Sequence, residues 1–228
     1  MIMVHNFFRL NVLLMVIAIS VMMQSCFTFT TLSTGRSLGK GTHEITPSVS
    51  SYYVKGAVTT PVLPQLSYTY GVTEKLDLGA QVSLAIVGLH AKYQMIGDQE
   101  SRFCMAPGIQ YNYFGVTESS TGSSGSGDPL KLSLSNLSVP LHMSWHPTPA
   151  LAIALSPRYV RLGGQGATGG SGGKTAIEML GLTPGLEIGK KFRFVVEANL
   201  LSPLNTNDNF TGFFATFAFG AKFRLGGR

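Results

Sequence analysis

From Leu76 to Ile86 the chain alternates residue by residue. Leu76, Leu78, Ala80, Val82, Leu84 and Ile86 fall on one side, and Asp77, Gly79, Gln81, Ser83 and Ala85 on the other. Successive side chains of a strand point to opposite faces, so a period of two predicts a strand with one apolar and one small or polar surface. The pattern returns near the end of the chain, where Phe213, Ala215, Phe217, Phe219, Ala221, Phe223 and Leu225 oppose Thr216, Ala218, Gly220, Lys222 and Arg224. No long 3.6-residue periodicity follows residue 40, and such alternating segments number about ten. They fall near 43–54, 63–72, 76–87, 89–96, 102–114, 132–146, 150–162, 175–188, 192–202 and 213–225. The fold class is all-β.

The chemistry of the two faces then chooses between water and lipid. A soluble barrel needs a charged exterior and an apolar interior. Here one face collects Leu, Ile, Val, Phe and Tyr, while Glu44, Asp77, Lys92, Arg158, Glu187, Arg193, Glu197, Lys222 and Arg224 all fall on the small-polar face. Such a face can line a lumen while the other meets lipid. Charged residues make up only 12 % of the 228 residues, about half the roughly 25 % of soluble domains. A hydrophobic fraction of 44 % argues against disorder. Several segments exceed the usual strand length of about 5–6 residues and reach the roughly 9–11 that a tilted membrane strand needs. Aromatic residues gather near segment ends, as interface girdles do: Tyr52, Tyr53, Tyr68, Tyr70, Tyr111, Tyr113 and Trp145. Connections near 72–75, 97–101, 147–149 and 189–191 are short, whereas 115–131, 163–174 and 203–212 are long. Short periplasmic turns and longer extracellular loops are expected of outer-membrane barrels; the short connection at Val87-Gly88 breaks that parity. The expected architecture is an antiparallel up-and-down transmembrane β-barrel of about ten strands, closed so that no backbone edge faces lipid.

The first 25 residues read as an export signal. Arg9 is their only formal charge, and Val12 to Met23 is apolar apart from Ser20. As a helix that run would be about 18 Å long, short of the roughly 30 Å of a hydrocarbon core. The sequence Met23-Gln24-Ser25-Cys26 resembles a bacterial lipobox. The resemblance implies a lipid on Cys26, with its acyl group in the periplasmic leaflet, a lipidated segment over 26–40 and the barrel over 41–228. It also implies outer-membrane lipid, the barrel-assembly machinery and the lipoprotein-export machinery as partners. A lipidated Cys26 would leave Cys104 without a disulfide partner.

The last strand, Gly220-Ala221-Lys222-Phe223-Arg224-Leu225, resembles the C-terminal assembly signal of bacterial outer-membrane β-barrel proteins, Gly-x-x-aromatic-x-hydrophobic. Ala218 departs from it where a polar residue is usual, and Gly226-Gly227-Arg228 extends beyond it. The stretches Tyr70–Gly79 and Gly35–Gly41 are similar to hairpin and entry segments of such barrels. The resemblance covers about residues 35–228; it implies insertion in an outer membrane and fixes no substrate.

Around eight strands the side chains just fill a barrel, so ten leave at most a narrow passage. The inward charges Asp77, Lys92, Arg158, Glu187, Arg193, Glu197, Lys222 and Arg224 are the candidate lumen residues, forming either an ion-pair network or a lined pathway. The leading function is structural or small-solute passage, porin-like and with limited or gated permeability. A second reading is a cell-surface interaction protein that presents the Gly/Ser-rich loops 115–131 and 163–174 to an extracellular ligand. A third is a membrane-embedded lipid hydrolase: His142-Met143-Ser144 resembles the His-x-Ser arrangement of outer-membrane lipid A deacylases. No acid follows until Glu178, so the carboxylate that orients such a base is missing from the neighbourhood, and lumen filling by polar residues accounts better for the pair. Gly173-Lys174-Thr175 lacks the spacing and the strand-to-helix setting of a phosphate loop. The sequence offers no metal spacing, no cofactor motif and no basic stripe for nucleic acid.

Overall fold

A computed structural model describes residues 30–54, 62–83, 86–118, 130–168, 171–204 and 214–226. The signal segment and Cys26 lie outside the described residues. Ten strands follow in order: β1 (His43–Val54), β2 (Val62–Gly71), β3 (Leu76–Ser83), β4 (Ile86–Tyr93), β5 (Phe103–Glu118), β6 (Leu130–Thr148), β7 (Leu151–Thr168), β8 (Ser171–Gly189), β9 (Phe192–Pro203) and β10 (Phe214–Leu225). Each pairs antiparallel with its neighbours in sequence, and β10 returns to β1, with Phe223 opposite Ile45 and Phe217 opposite Ser51. The result is a closed, up-and-down barrel, the architecture that the alternation predicts.

The barrel is inside-out relative to a soluble one. Leu78, Val82, Leu89, Ile109, Leu180, Phe194 and Phe219 are exposed on its outer wall, while Glu44, Asp77, Gln81, Lys92, Asn112, Asn136, Glu187 and Lys222 are buried. In water such an exterior would be an aggregation surface. In a bilayer it is the solvent-matched face, and inward polar groups find partners across the lumen.

The wall is uneven in height. Strands β3 and β4 have 8 residues each, whereas β6 and β8 have 19 and β7 has 18. This corrects the loop expected over 163–174. Gly163–Thr168 continues β7 and Ser171–Lys174 begins β8, with Gly164 opposite Thr175 and Gly166 opposite Gly173. Likewise Gly115–Glu118 belongs to β5 and Leu130-Lys131 to β6, so the loop expected over 115–131 is shorter. Glycine weakens a strand by itself; here the glycine-rich arms of β7 and β8 pair with each other, and that of β7 also with β6.

The β3–β4 hairpin also differs from expectation. Its strands end at Ser83 and resume at Ile86, so Val87 and Gly88 lie within β4, not in a turn. Gly88 is a close-approach glycine: a Cβ there would stand 2.0 Å from the Asn112 Oδ1. The shift turns Ile86 inward, 3 % exposed, instead of toward lipid with Leu84. The opposite ends of the hairpins close in short turns. At one, Thr73 Oγ1 accepts from the backbone N–H groups of Lys75 and Leu76; at another, Asp98 Oδ1 accepts from those of Glu100 and Ser101 and from the Ser101 hydroxyl.

Candidate functional site

The lumen is the site, and the chain fills it with its own N-terminal segment. Residues 30–38 run along the barrel interior, with Thr30, Leu32, Thr34 and Ser37 no more than 4 % exposed. The strap then leaves at the short-turn end, where the Gly41 N–H donates to the Gly71 carbonyl before β1 begins. Ten strands leave room that eight would not, and the strap's small hydroxyl and glycine residues suit that width. Gly35 passes close to the wall: a Cβ there would stand 2.4 Å from the Cys104 carbonyl oxygen. Leu32 takes a left-handed conformation, φ 46°, which is strained for a branched residue. Its N–H donates to Glu197 Oε2 at 2.7 Å, and its side chain packs with Val195 and Ala218.

The charges that hold the strap come from the wall, apart from the strap's own Arg36. Glu197 accepts the N–H groups of Thr31 and Leu32, and both Asp77 carboxylate oxygens lie 3.1 Å from the Leu38 N–H. Lys92 donates to the Ser33 hydroxyl and to the Thr34 and Arg36 carbonyls at 2.8–3.1 Å. The Ser37 N–H donates to Gln94, and the Arg36 guanidinium to the Ser101 carbonyl. Acids thus meet strap N–H groups and a lysine meets strap carbonyls, so wall side chains supply backbone partners to an extended segment that lacks a neighbouring strand. Charge-assisted hydrogen bonds of this kind are the stronger ones.

The eight candidate charges fall into three groups. Asp77 and Lys92 pair at 3.3 Å. Arg158 and Glu197 pair at 3.7 Å, and Arg158 also donates to the Thr31 hydroxyl. At the short-turn end Glu187 bonds both Lys222 and Arg193, while Arg224 bonds Glu44 at 2.7 Å and lies 3.8 Å from Glu187. The strap bridges the first two groups. Sequence reasoning placed these residues on one face but missed the strap that two of the groups serve. Its only signal was the run of Ser, Thr and Gly between Thr30 and Gly41.

Interior chemistry changes with height. Above the charges stand the amides: Gln65 donates to Gln81, which donates to Asn112 at 2.7 Å, and the Thr30 hydroxyl joins at Gln65. Higher still, inward Leu63, Ile86, Phe114, Val160, Met179 and Leu201 are buried. This apolar collar departs from the small-polar lumen that the sequence pattern implied. Two described cavities beside the strap have volumes of about 30 and 20 Å³, room for one or two waters each.

The His142–Ser144 pairing that a hydrolase would need does not form, and both residues fill the lumen. His142 Nδ1 stands 3.1 Å from Ser156 Oγ, and Ser144 Oγ stands 2.9 Å from His146 Nε2. Ser144 also accepts the Gly35 N–H at 3.0 Å, so the strap lies against the hydroxyl that a substrate would have to reach. Cys104 is free and buried. Among the described residues no group of three His, Cys, Asp or Glu is placed to hold a metal.

An all-antiparallel closed barrel with an apolar exterior and a polar, self-filled lumen has the fold of bacterial outer-membrane β-barrels. The translocator domain of the autotransporter NalP from Neisseria meningitidis is similar to it, with a TM-score of 0.50 and 12 % identity over 82 % of this chain and 89 % of that one. The attachment invasion locus protein Ail of Yersinia pestis gives 0.44 and 12 % over 82 % and 99 %, and the outer membrane protease OmpT of Escherichia coli 0.45 and 9 % over 81 % and 96 %. The likeness is one of fold. No protein-family model matches the sequence, and no curated protein is similar to it.

Proposed function

We propose that this protein is an outer-membrane barrel, closed by its own N-terminal strap, with a structural role in the envelope and small-solute passage limited to what the strap allows. One observation carries the reading: residues 30–38 occupy the lumen, bonded to Glu197, Asp77 and Lys92. The apolar outer wall supports the membrane setting. On β7 the outward residues from Ile153 to Tyr159 are apolar, and with those of β9 they form a band about 20–25 Å high at ordinary strand tilt. The short-turn end is read as periplasmic and the tall β5–β8 wall as extracellular.

Lipidation at Cys26, an export signal over 1–25 and dependence on the barrel-assembly and lipoprotein-export machineries belong to the same proposal. Mass analysis of the membrane-extracted chain, with and without Cys26→Ser, tests it.

Refolded protein that migrates differently with and without boiling should be placed in a planar bilayer. The closed-barrel reading expects the heat-dependent shift and no steps of an open pore. Steady conductance steps from the unaltered protein would overturn it. A second reading, surface recognition of an extracellular ligand, is favoured by the height of the β7–β8 hairpin, whose glycine-rich arms are ordered strands.

A further inference from the structure

We propose that the outer wall across β5–β8 carries a binding site for the phosphorylated-sugar headgroup of an outer-leaflet glycolipid; this rests on the membrane orientation above. The strand register builds the site row by row. In the lower row Val139, Tyr159 and Leu180 stand side by side on the lipid face. The next row aligns Tyr111, Leu137, Arg161 and Glu178, and the one above it Tyr113, Ser135, Gly163 and Ala176.

Small residues in the upper row leave a depression of about 400 Å³, framed by Tyr111 and Tyr113 on one side and Arg161 on the other. Both tyrosines and the arginine are exposed. Arg161 is the first basic residue above the apolar band on β7. An outward charge is tolerated where lipid gives way to headgroups and is costly below that level, so its position also marks the interface. Tyrosines belong at that level, with apolar rings toward the chains and hydroxyls toward water.

The chemistry selects the occupant. A guanidinium presents paired donors that match a phosphate, in a fork that lysine cannot reproduce. Ser133 and Ser135 offer hydroxyls, Gly163 gives a flat floor, and the tyrosine rings can pack on the apolar face of a sugar. A headgroup seated there leaves its acyl chains lying over Val139, Tyr159 and Leu180, so one molecule would satisfy both levels. A free sugar phosphate would gain only the upper contacts. Glu178, opposite Arg161, opposes an anion and sets the direction of a second variant.

Native mass spectrometry of the refolded barrel in neutral detergent tests this, with bisphosphorylated lipid A as probe and phosphatidylcholine and dephosphorylated lipid A as competitors. The intact barrel should retain one bisphosphorylated lipid in preference to both. Arg161→Ala should weaken retention by about tenfold or more, Arg161→Lys by less, and Glu178→Gln should strengthen it. Both residues face outward at the interface, and all three variants should keep the heat-dependent shift. Equal retention by Arg161→Ala, or equal retention of dephosphorylated lipid A, overturns the site. Absence of the heat-dependent shift in the unaltered protein overturns the membrane reading and the site together.

Discussion

Glu187 is buried at 2 % exposure with Lys222 and Arg193 bonded to it and Arg224 3.8 Å away. Glu187→Gln would leave those cations short of a counter-charge inside the barrel. Removing one member of a buried ion pair costs about 3–5 kcal/mol, so the temperature of the gel shift should fall clearly; an unchanged temperature would mean the lumen there is well hydrated. Gly35→Val should act differently, because a Cβ at this position meets the Cys104 carbonyl at 2.4 Å. It should lift the strap from Ser144 while the wall stays closed, seen as faster amide exchange over 31–38 with exchange in β6–β8 unaltered. In the turn outside the membrane, the Ser101 hydroxyl first, and then the N–H groups of Glu100 and Ser101, hold the Asp98 carboxyl below its ordinary 3.8. A lowered folded pKa gives stability that is full above the ordinary value and lost as pH falls through the folded one. The Glu100 and Ser101 amides should therefore be protected above the ordinary carboxylate range and lose protection as pH falls below it, and Asp98→Ala should abolish the difference. Alternation assigns the charged residues to one strand face, but which charge meets which is not legible in the sequence, because Glu44 and Arg224 become partners only when β10 closes on β1.

Strands were legible where side chains alternate strongly and illegible where glycine replaces them. β9 and β10 match their expected spans within two residues, because bulky apolar residues mark most of the outer face, Phe192, Phe194 and Val196 on β9 and Phe217, Phe219, Phe223 and Leu225 on β10. The arms of β7 and β8 beyond Gly163 carry little side-chain signal, and only pairing across the hairpin makes them strands. Gly88 misled in the opposite sense: glycine reads as a turn by composition, but here it makes room for Asn112. Since the β7–β8 arms rise above the apolar band, removing residues 166–173 should leave assembly and the gel-shift temperature essentially unaltered. Loss of the shift in that variant would show that the tall hairpin is needed to close the barrel.

At the scale of the whole molecule, the barrel is a wall built around its own beginning. The membrane architecture could be read from periodicity, face chemistry and turn parity together. The plug could not, because its contacts join residues as far apart as Thr31 and Glu197, 166 positions away, and an irregular polar segment has no period to announce where it docks. Of the charges read as an ion-pair network or a lined pathway, Asp77, Lys92, Arg158 and Glu197 grip that segment, the others pair with one another below it, and an apolar collar stands above it. The most direct test is thiol accessibility in single-cysteine proteins with Cys26 and Cys104 replaced by serine. Thr34→Cys should react with a bulky maleimide only after boiling, while Lys40→Cys, exposed at the rim, should react in the folded barrel. Equal, rapid labelling at both positions before boiling would place residue 34 outside the lumen and contradict the plug.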